Sequence, residues 1–300
     1  ERVDIGDKLK VVFEPHKQYF EVRINQMYLN YKRKWFKEYD PAVFIVSEFL
    51  YNKKIYSVPF VVGPSMLEGK MDKVPDGMLF QDTTVAGLHP FRGGDFNLSV
   101  VLARMQTKDY LRRFMKFVES TAGTYTGGFA TLVDQYSKVA NVVLDSLDEL
   151  LGSEEVEPLI GYTIKISTNT QDFSPGYFLL LNSDEQNVDP TSFFIKGNRL
   201  MTGTSLDDCE PYRDDDYVLY SIVAAPKRND TEALPVFQQF EDLQSAFDGI
   251  SDMDATQEKL MRAKLFSLQD KIRLSPDLIK PQMAELISEY KATIESMILE

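Results

Sequence analysis

Histidine and cysteine are nearly absent from this chain of 300 residues: His16, His89 and Cys209 are all it has. Acid–base catalysis, thiol catalysis and zinc binding draw mainly on these two residue types. A thiol–imidazole dyad has two candidate pairs, Cys209–His89 and Cys209–His16, and neither sits in a recognised motif. Cys209 follows Asp207-Asp208 and precedes Glu210, and that negative surrounding disfavours the thiolate a nucleophile needs. A single cysteine makes no internal disulfide, which fits a reducing compartment, so the expected location is cytoplasmic.

Other absences narrow the field further. No uninterrupted apolar run of about 20 residues occurs, so no transmembrane helix is expected. No basic stretch followed by an apolar one opens the chain, so no signal peptide is visible. Gly-x-Ser-x-Gly and P-loop patterns are missing. Positive charge is in deficit: 33 Lys and Arg against 46 Asp and Glu leave a formal net charge of −13. A polyanion such as nucleic acid is repelled as a general partner.

The chain does hold enough apolar matter for a sizeable core, with 43% hydrophobic and 26% charged residues. Its pattern predicts an α+β fold: an N-terminal antiparallel β-sandwich-like region with helices, a second strand-rich stretch and a C-terminal helical segment. The expected boundaries are a β-rich region over 1–105, two helices packing on it over 106–152, a second β-rich region over 153–226 and a helical region over 227–300. Leu9–Phe13, Tyr19–Ile24, Ala42–Val46 and Ile55–Val62 read as early strands, with a hairpin turn at Tyr51–Lys54. Phe96–Met105 alternates, with Phe96, Leu98 and Val100 on one side. Gly176–Leu181 is continuously apolar, as in a strand covered on both faces.

Helix patterns follow. One begins near Thr107. Another, over 129–151, carries Phe129, Val133, Tyr136, Ala140, Val143, Leu147 and Leu150 at spacings of four and three. Pro235–Phe247 and Ala255–Leu274 are the next two. Ser275-Pro276 reads as a helix N-cap with proline at the first position. A last helix restarts at Pro281 with Met283, Ile287, Tyr290, Ile294 and Met297 on one stripe, a candidate face for another chain.

Three constellations are candidate sites. His89-Pro90-Phe91-Arg92-Gly93-Gly94-Asp95 offers two glycine N–H groups, a guanidinium and a carboxylate, which suits an anion; it equally suits a turn into the strand at Phe96. Asp207, Asp208, Asp214 and Asp216 supply the loop carboxylates that calcium takes, without the spacing of an EF-hand; a solvated acidic loop reads the same way. Lys32, Arg33, Lys34, Trp35 and Lys37 interleave charge with an aromatic ring, which suits phosphates or an anionic membrane surface; a lysine-protected edge strand has the same sequence.

The expected function is a non-enzymatic protein-interaction or scaffolding module, part of a larger chain or assembly, meeting a protein partner or a second copy through its C-terminal helices. A ligand-sensing domain for an anion, lipid headgroup or calcium is one alternative, and a carboxylate-dependent hydrolase is another. No cofactor is expected beyond calcium in the ligand-sensing alternative.

Overall fold

The computed structural model of the chain describes residues 2–3, 12–30, 33–34, 37–38, 40–63, 83–105, 156–167, 174–183, 188–248, 250 and 253–299. The expected helices over 106–152 lie outside the described residues, as does most of the strand expected at Leu9–Phe13. In chain order the strands are β1 (Arg2–Val3), β2 (Tyr19–Tyr28), β3 (Arg33–Lys34), β4 (Lys37–Glu38), β5 (Asp40–Tyr51), β6 (Lys54–Val62) and β7 (Thr83–Pro90). They continue with β8 (Asp95–Met105), β9 (Val156–Ser167), β10 (Gly176–Asn182), β11 (Phe193–Lys196), β12 (Arg199–Gly203), β13 (Cys209–Pro211) and β14 (Asp216–Ala225).

Period-two alternation builds the main core. Phe96, Leu98, Val100 and Leu102 of β8 and Val43, Ile45, Phe49 and Tyr51 of β5 face Phe20, Val22 and Ile24 of β2 and Val218, Tyr220 and Ile222 of β14. The first group belongs to a four-stranded sheet in the order β6-β5-β8-β9, the second to a five-stranded sheet in the order β1-β10-β14-β2-β7. Every pairing within them is antiparallel. The α+β class and the sandwich are thus as the sequence pattern predicts.

The two β-rich regions do not stand apart, however. β9 completes the sheet of β5, β6 and β8, while β10 and β14 sit in the sheet of β2 and β7. β14 explains why. Tyr217 to Ile222 is buried on both faces, so it must lie inside a sheet, and it finds β10 on one side and β2 from the first region on the other. Its Tyr217 and Leu219 point away from the main core into a smaller one with Leu200 and Tyr212. Tyr177, Leu179 and Leu181 of β10 join that second core while Phe178 and Leu180 join the first, so the continuous apolar run of β10 does serve two faces. The small sheet β11-β12-β13 covers this outer side.

Turn chemistry follows the residues. Asn52 and Lys53 take φ values of 47° and 65° between β5 and β6, and Gly197 and Asn198 take 58° and 61° between β11 and β12. Two consecutive positive φ values suit the right-handed twist of a tight hairpin.

After β14 come three helices: α1 (Pro235–Phe247), α2 (Ala255–Leu274) and α3 (Lys280–Leu299). Asp254 and Gln257 form a reciprocal capping box at the start of α2. Ser275-Pro276 is not the N-cap that its sequence suggests. Ser275 ends α2, with its N–H on the carbonyl of Ile272 at 3.1 Å, and helix resumes only at Lys280. The carbonyls of Ser275, Pro276 and Leu278 are held by Arg92, and a captured carbonyl is lost to the helical ladder.

The helices form a three-helix bundle around Phe240, Leu243, Met261, Leu265, Leu268, Ile272, Leu286 and Ile294. Met283, Tyr290 and Ile294, on the stripe expected to face another chain, are buried inside this bundle. Phe240 and Tyr290 stack with ring centroids 3.8 Å apart. The Tyr290 hydroxyl is buried with no hydrogen-bond partner among the described residues. Tyr290→Phe is therefore expected to raise stability by about 1 kcal/mol, because it removes an unmet hydroxyl and keeps the stack. Denaturant unfolding measures this, and a loss of stability would reveal a partner for the hydroxyl.

Candidate functional site

The His89–Asp95 segment lies where β7 turns into β8; His89 is buried, Arg92 is half-buried and Asp95 is exposed. The His89 ring is 4.3 Å from Phe49 and 5.7 Å from Phe20. Burial, helped by the charge of Arg228, holds its pKa down at about 3. At neutral pH it is an uncharged member of an aromatic cluster. Gly93 and Gly94 have φ values of 79° and 85°, and a Cβ on Gly93 would sit 3.2 Å from the Pro15 ring. These glycines serve a close-packed turn. Asp95 opens β8 opposite Ser167.

Arg92 decides the role of the segment. Its Nη1 donates to Nδ1 of His16 at 2.9 Å. Its Nη2 donates to the carbonyls of Ser275, Pro276 and Leu278 at 3.2, 3.1 and 2.8 Å. A guanidinium only donates, so His16 Nδ1 must carry the lone pair and Nε2 the proton. Burial, then Arg92 and Lys280, lower the His16 pKa. The expected anion cradle is thus a clamp: its guanidinium holds the turn between α2 and α3.

That turn is plugged into one end of the sandwich by residues no local pattern singles out. The Tyr19 hydroxyl donates to Oε1 of Gln282 at 2.7 Å and accepts from the N–H of Ile279 at 3.2 Å. Tyr51 donates to Asp277 Oδ1 at 2.5 Å. Arg228 donates to the Asp277 carbonyl at 3.1 Å and pairs through Nε with Asp230 at 2.6 Å. Gln282 returns a bond to the Arg228 carbonyl at 2.7 Å, and the Lys280 N–H reaches the His16 carbonyl at 3.0 Å. Burial raises the Asp277 pKa, opposed by Tyr51, Arg228 and Arg92. The partners are separated by up to 263 residues, which is why spacing in the sequence gives no sign of them. The prolines at 276 and 281 are the local signals that the chain changes direction here.

The acidic residues are dispersed rather than gathered. Asp216 is buried, accepting from the N–H of Asn30 at 2.7 Å and pairing with Arg104 Nη2 at 3.1 Å. Asp215 accepts from the Tyr212 hydroxyl, and Asp214 uses its carbonyl to accept from Asn30. Asp208 accepts from the Thr204 hydroxyl at 3.3 Å, and Asp207 is exposed beside it. Cys209 Sγ donates to the Leu206 carbonyl at 3.1 Å. Among the described residues no three His, Cys, Asp or Glu side chains are grouped as a metal would require. The set expected for calcium is split because β14 draws Asp216 to an arginine between the sheets.

The sites are also far from each other. Along β2, Tyr28 is opposite Tyr217, next to Asp216, while Tyr19 is opposite Ala225 and Pro90. The acidic residues and the His89–Arg92 segment thus lie at opposite ends of a ten-residue strand, about 30 Å apart. In the basic patch, β3 and β4 pair as a short ribbon, Arg33 opposite Glu38 and Lys34 opposite Lys37. Lys32 and Trp35 lie outside the described residues.

Between α1 and α2 runs a groove of about 220 Å³ lined by Gln239, Asp242, Leu243, Lys264, Ser267, Leu268 and Lys271. Lys264 leans over the Phe247 ring at 5.6 Å. The groove mixes both signs of charge, so no single ligand charge is favoured. No helix among the described residues is long and apolar enough to cross a membrane. No family model matches the chain, and no curated protein is similar enough in sequence to count as a relative.

Proposed function

We propose that the chain is a non-enzymatic protein-interaction or scaffolding module. The β-sandwich holds the three-helix bundle in a fixed attitude, and the bundle meets a protein partner or a second copy. The observation that carries this reading is the placement of exposed apolar side chains. Seven large hydrophobic residues are exposed among the described residues, and three of them, Leu260, Phe266 and Leu274, belong to α2. Apolar surface gathered on one element marks a contact more than residues scattered singly do. A second support is that Arg92, His16, His89 and Asp216, the groups best suited to chemistry, are engaged in holding the fold together. We place the protein in the cytoplasm, on the strength of its lone cysteine.

Site-specific photo-cross-linking in cells tests the reading. A photoreactive residue at Leu274 is expected to capture a discrete protein, while one at Ile55, exposed on the sandwich, captures none. Equal capture from both positions, or none from either together with a strict monomer by light scattering, would overturn it.

A further inference from the structure

We infer that His16 makes the junction between bundle and sandwich proton-sensitive: a proton on its ring loosens the hold on the α2–α3 turn while both parts stay folded. The apolar core of the sandwich and that of the bundle share no residue. The hydrogen bonds around the turn therefore decide how firmly the two are joined, and neither core has to open when they part. Three of those bonds meet at His16. Its N–H donates to the Phe91 carbonyl at 2.7 Å, and its carbonyl accepts from the Lys280 N–H at 3.0 Å. Its ring accepts from Arg92 at 2.9 Å.

Only a neutral ring can make the third bond. A protonated imidazole donates from both nitrogens and accepts at neither, so no ring flip preserves the contact with a guanidinium. The proton also sets a third cation beside Arg92 and Lys280, which face the ring from the β7–β8 turn and from α3. The carboxylates around it are already engaged. Glu14, on the same turn, pairs with Lys17. Asp277 faces both Arg92 and Arg228 and accepts from Tyr51 at 2.5 Å, and Arg228 is paired with Asp230. Arg92 grips the carbonyls of Ser275, Pro276 and Leu278, so whatever pushes its guanidinium aside loosens the turn. Burial and the two cations hold the His16 pKa below that of an ordinary imidazole. The closed junction thus resists a proton that the open one accepts. Opening gains as pH falls below about 6.5, by at most about tenfold per pH unit.

Hydrogen exchange of the full chain, resolved amide by amide by NMR and corrected for the intrinsic rate, tests this. The Ile279 and Lys280 amides report the junction, since they donate to the Tyr19 hydroxyl and the His16 carbonyl. Leu98 of β8 and Leu265 of α2 report the two cores. From pH 7.5 to 5.5 the opening seen at Ile279 and Lys280 is expected to rise by about three- to tenfold, with Leu98 and Leu265 still far better protected. His16→Asn is expected to abolish the rise. Its Oδ1 stands where Nδ1 stood and accepts from Arg92 without titrating, and Asn tolerates the φ of 67° found at this position. A rise that survives in His16→Asn overturns the inference and passes the effect to another group, Asp277 first. A junction that exchanges only together with Leu98 and Leu265 overturns it as well. A second measurement needs no variant: the ring resonances of His16 are expected to titrate at lower pH in the folded chain than in urea. A folded midpoint equal to or above the unfolded one overturns the inference.

Discussion

Between pH 6.5 and the carboxylate range, the folded chain is expected to lose close to 1.4 kcal/mol of stability for each pH unit of acidification, with His89 as the main cause. The His89 imidazole is enclosed between Phe49 and Phe20 and near the Arg228 guanidinium. Its folded pKa is about 3, against 6.5 for an ordinary imidazole. A depressed pKa means that the unfolded chain takes up the proton first. The contribution is fully present above pH 6.5 and is lost as pH falls toward 3, about 4–5 kcal/mol in all. That is a large part of the 5–15 kcal/mol typical of a folded protein. His16 shifts in the same direction and adds a smaller slope. His89→Gln is expected to flatten the profile while leaving this residual, whatever it costs in packing at neutral pH. Urea midpoints at pH 7.5, 6.5, 5.5 and 4.5 measure the difference, and parallel profiles for the two proteins would refute it.

The same residue shows what was legible in the sequence and what was not. The alternation of Phe96, Leu98 and Val100 and the helical patterns over Pro235–Phe247 and Ala255–Leu274 are local signals, and they locate those elements closely because strand and helix periods are local properties. The Arg-Gly-Gly-Asp run reads equally as an anion nest or a tight turn. What decides between them is a set of carbonyls at Ser275, Pro276 and Leu278, more than 180 residues away. Likewise, nothing in Asp214-Asp215-Asp216 says which carboxylate turns inward. The choice falls to Asp216 because it begins β14, where Asn30 just beyond β2 and Arg104 of β8 supply donors. The β-rich regions look separable in sequence, yet they interleave because β14 cannot cover both its faces within its own half. The residues that join bundle to sandwich, Tyr19, Tyr51, Arg228, Asp277 and Gln282, meet only through long-range contacts, and long-range contacts leave no spacing to read.

Asp216→Ala is expected to cost about 3–5 kcal/mol, the characteristic result of breaking one half of a buried ion pair. The Asp216 side chain is 6% exposed and that of Arg104 12%, and they bridge β14 of one sheet to β8 of the other at 3.1 Å. The alanine strands the Arg104 guanidinium in a region of low dielectric and leaves the Asn30 N–H without its acceptor. The penalty therefore belongs to the groups left behind more than to the pair itself. Removing both charges together separates the two: Arg104→Met with Asp216→Asn keeps an oxygen for Asn30 and buries no charge, so it is expected to stay within about 1–2 kcal/mol of the parent. A calcium ligand would behave otherwise. If Asp216 held calcium, added calcium would raise the melting temperature of the parent and not of Asp216→Ala, and the double variant would be as damaged as the single one. Thermal unfolding of the three proteins with calcium and with chelator distinguishes the outcomes, and the ion pair predicts a large loss in the single variant, its recovery in the double, and indifference to calcium throughout.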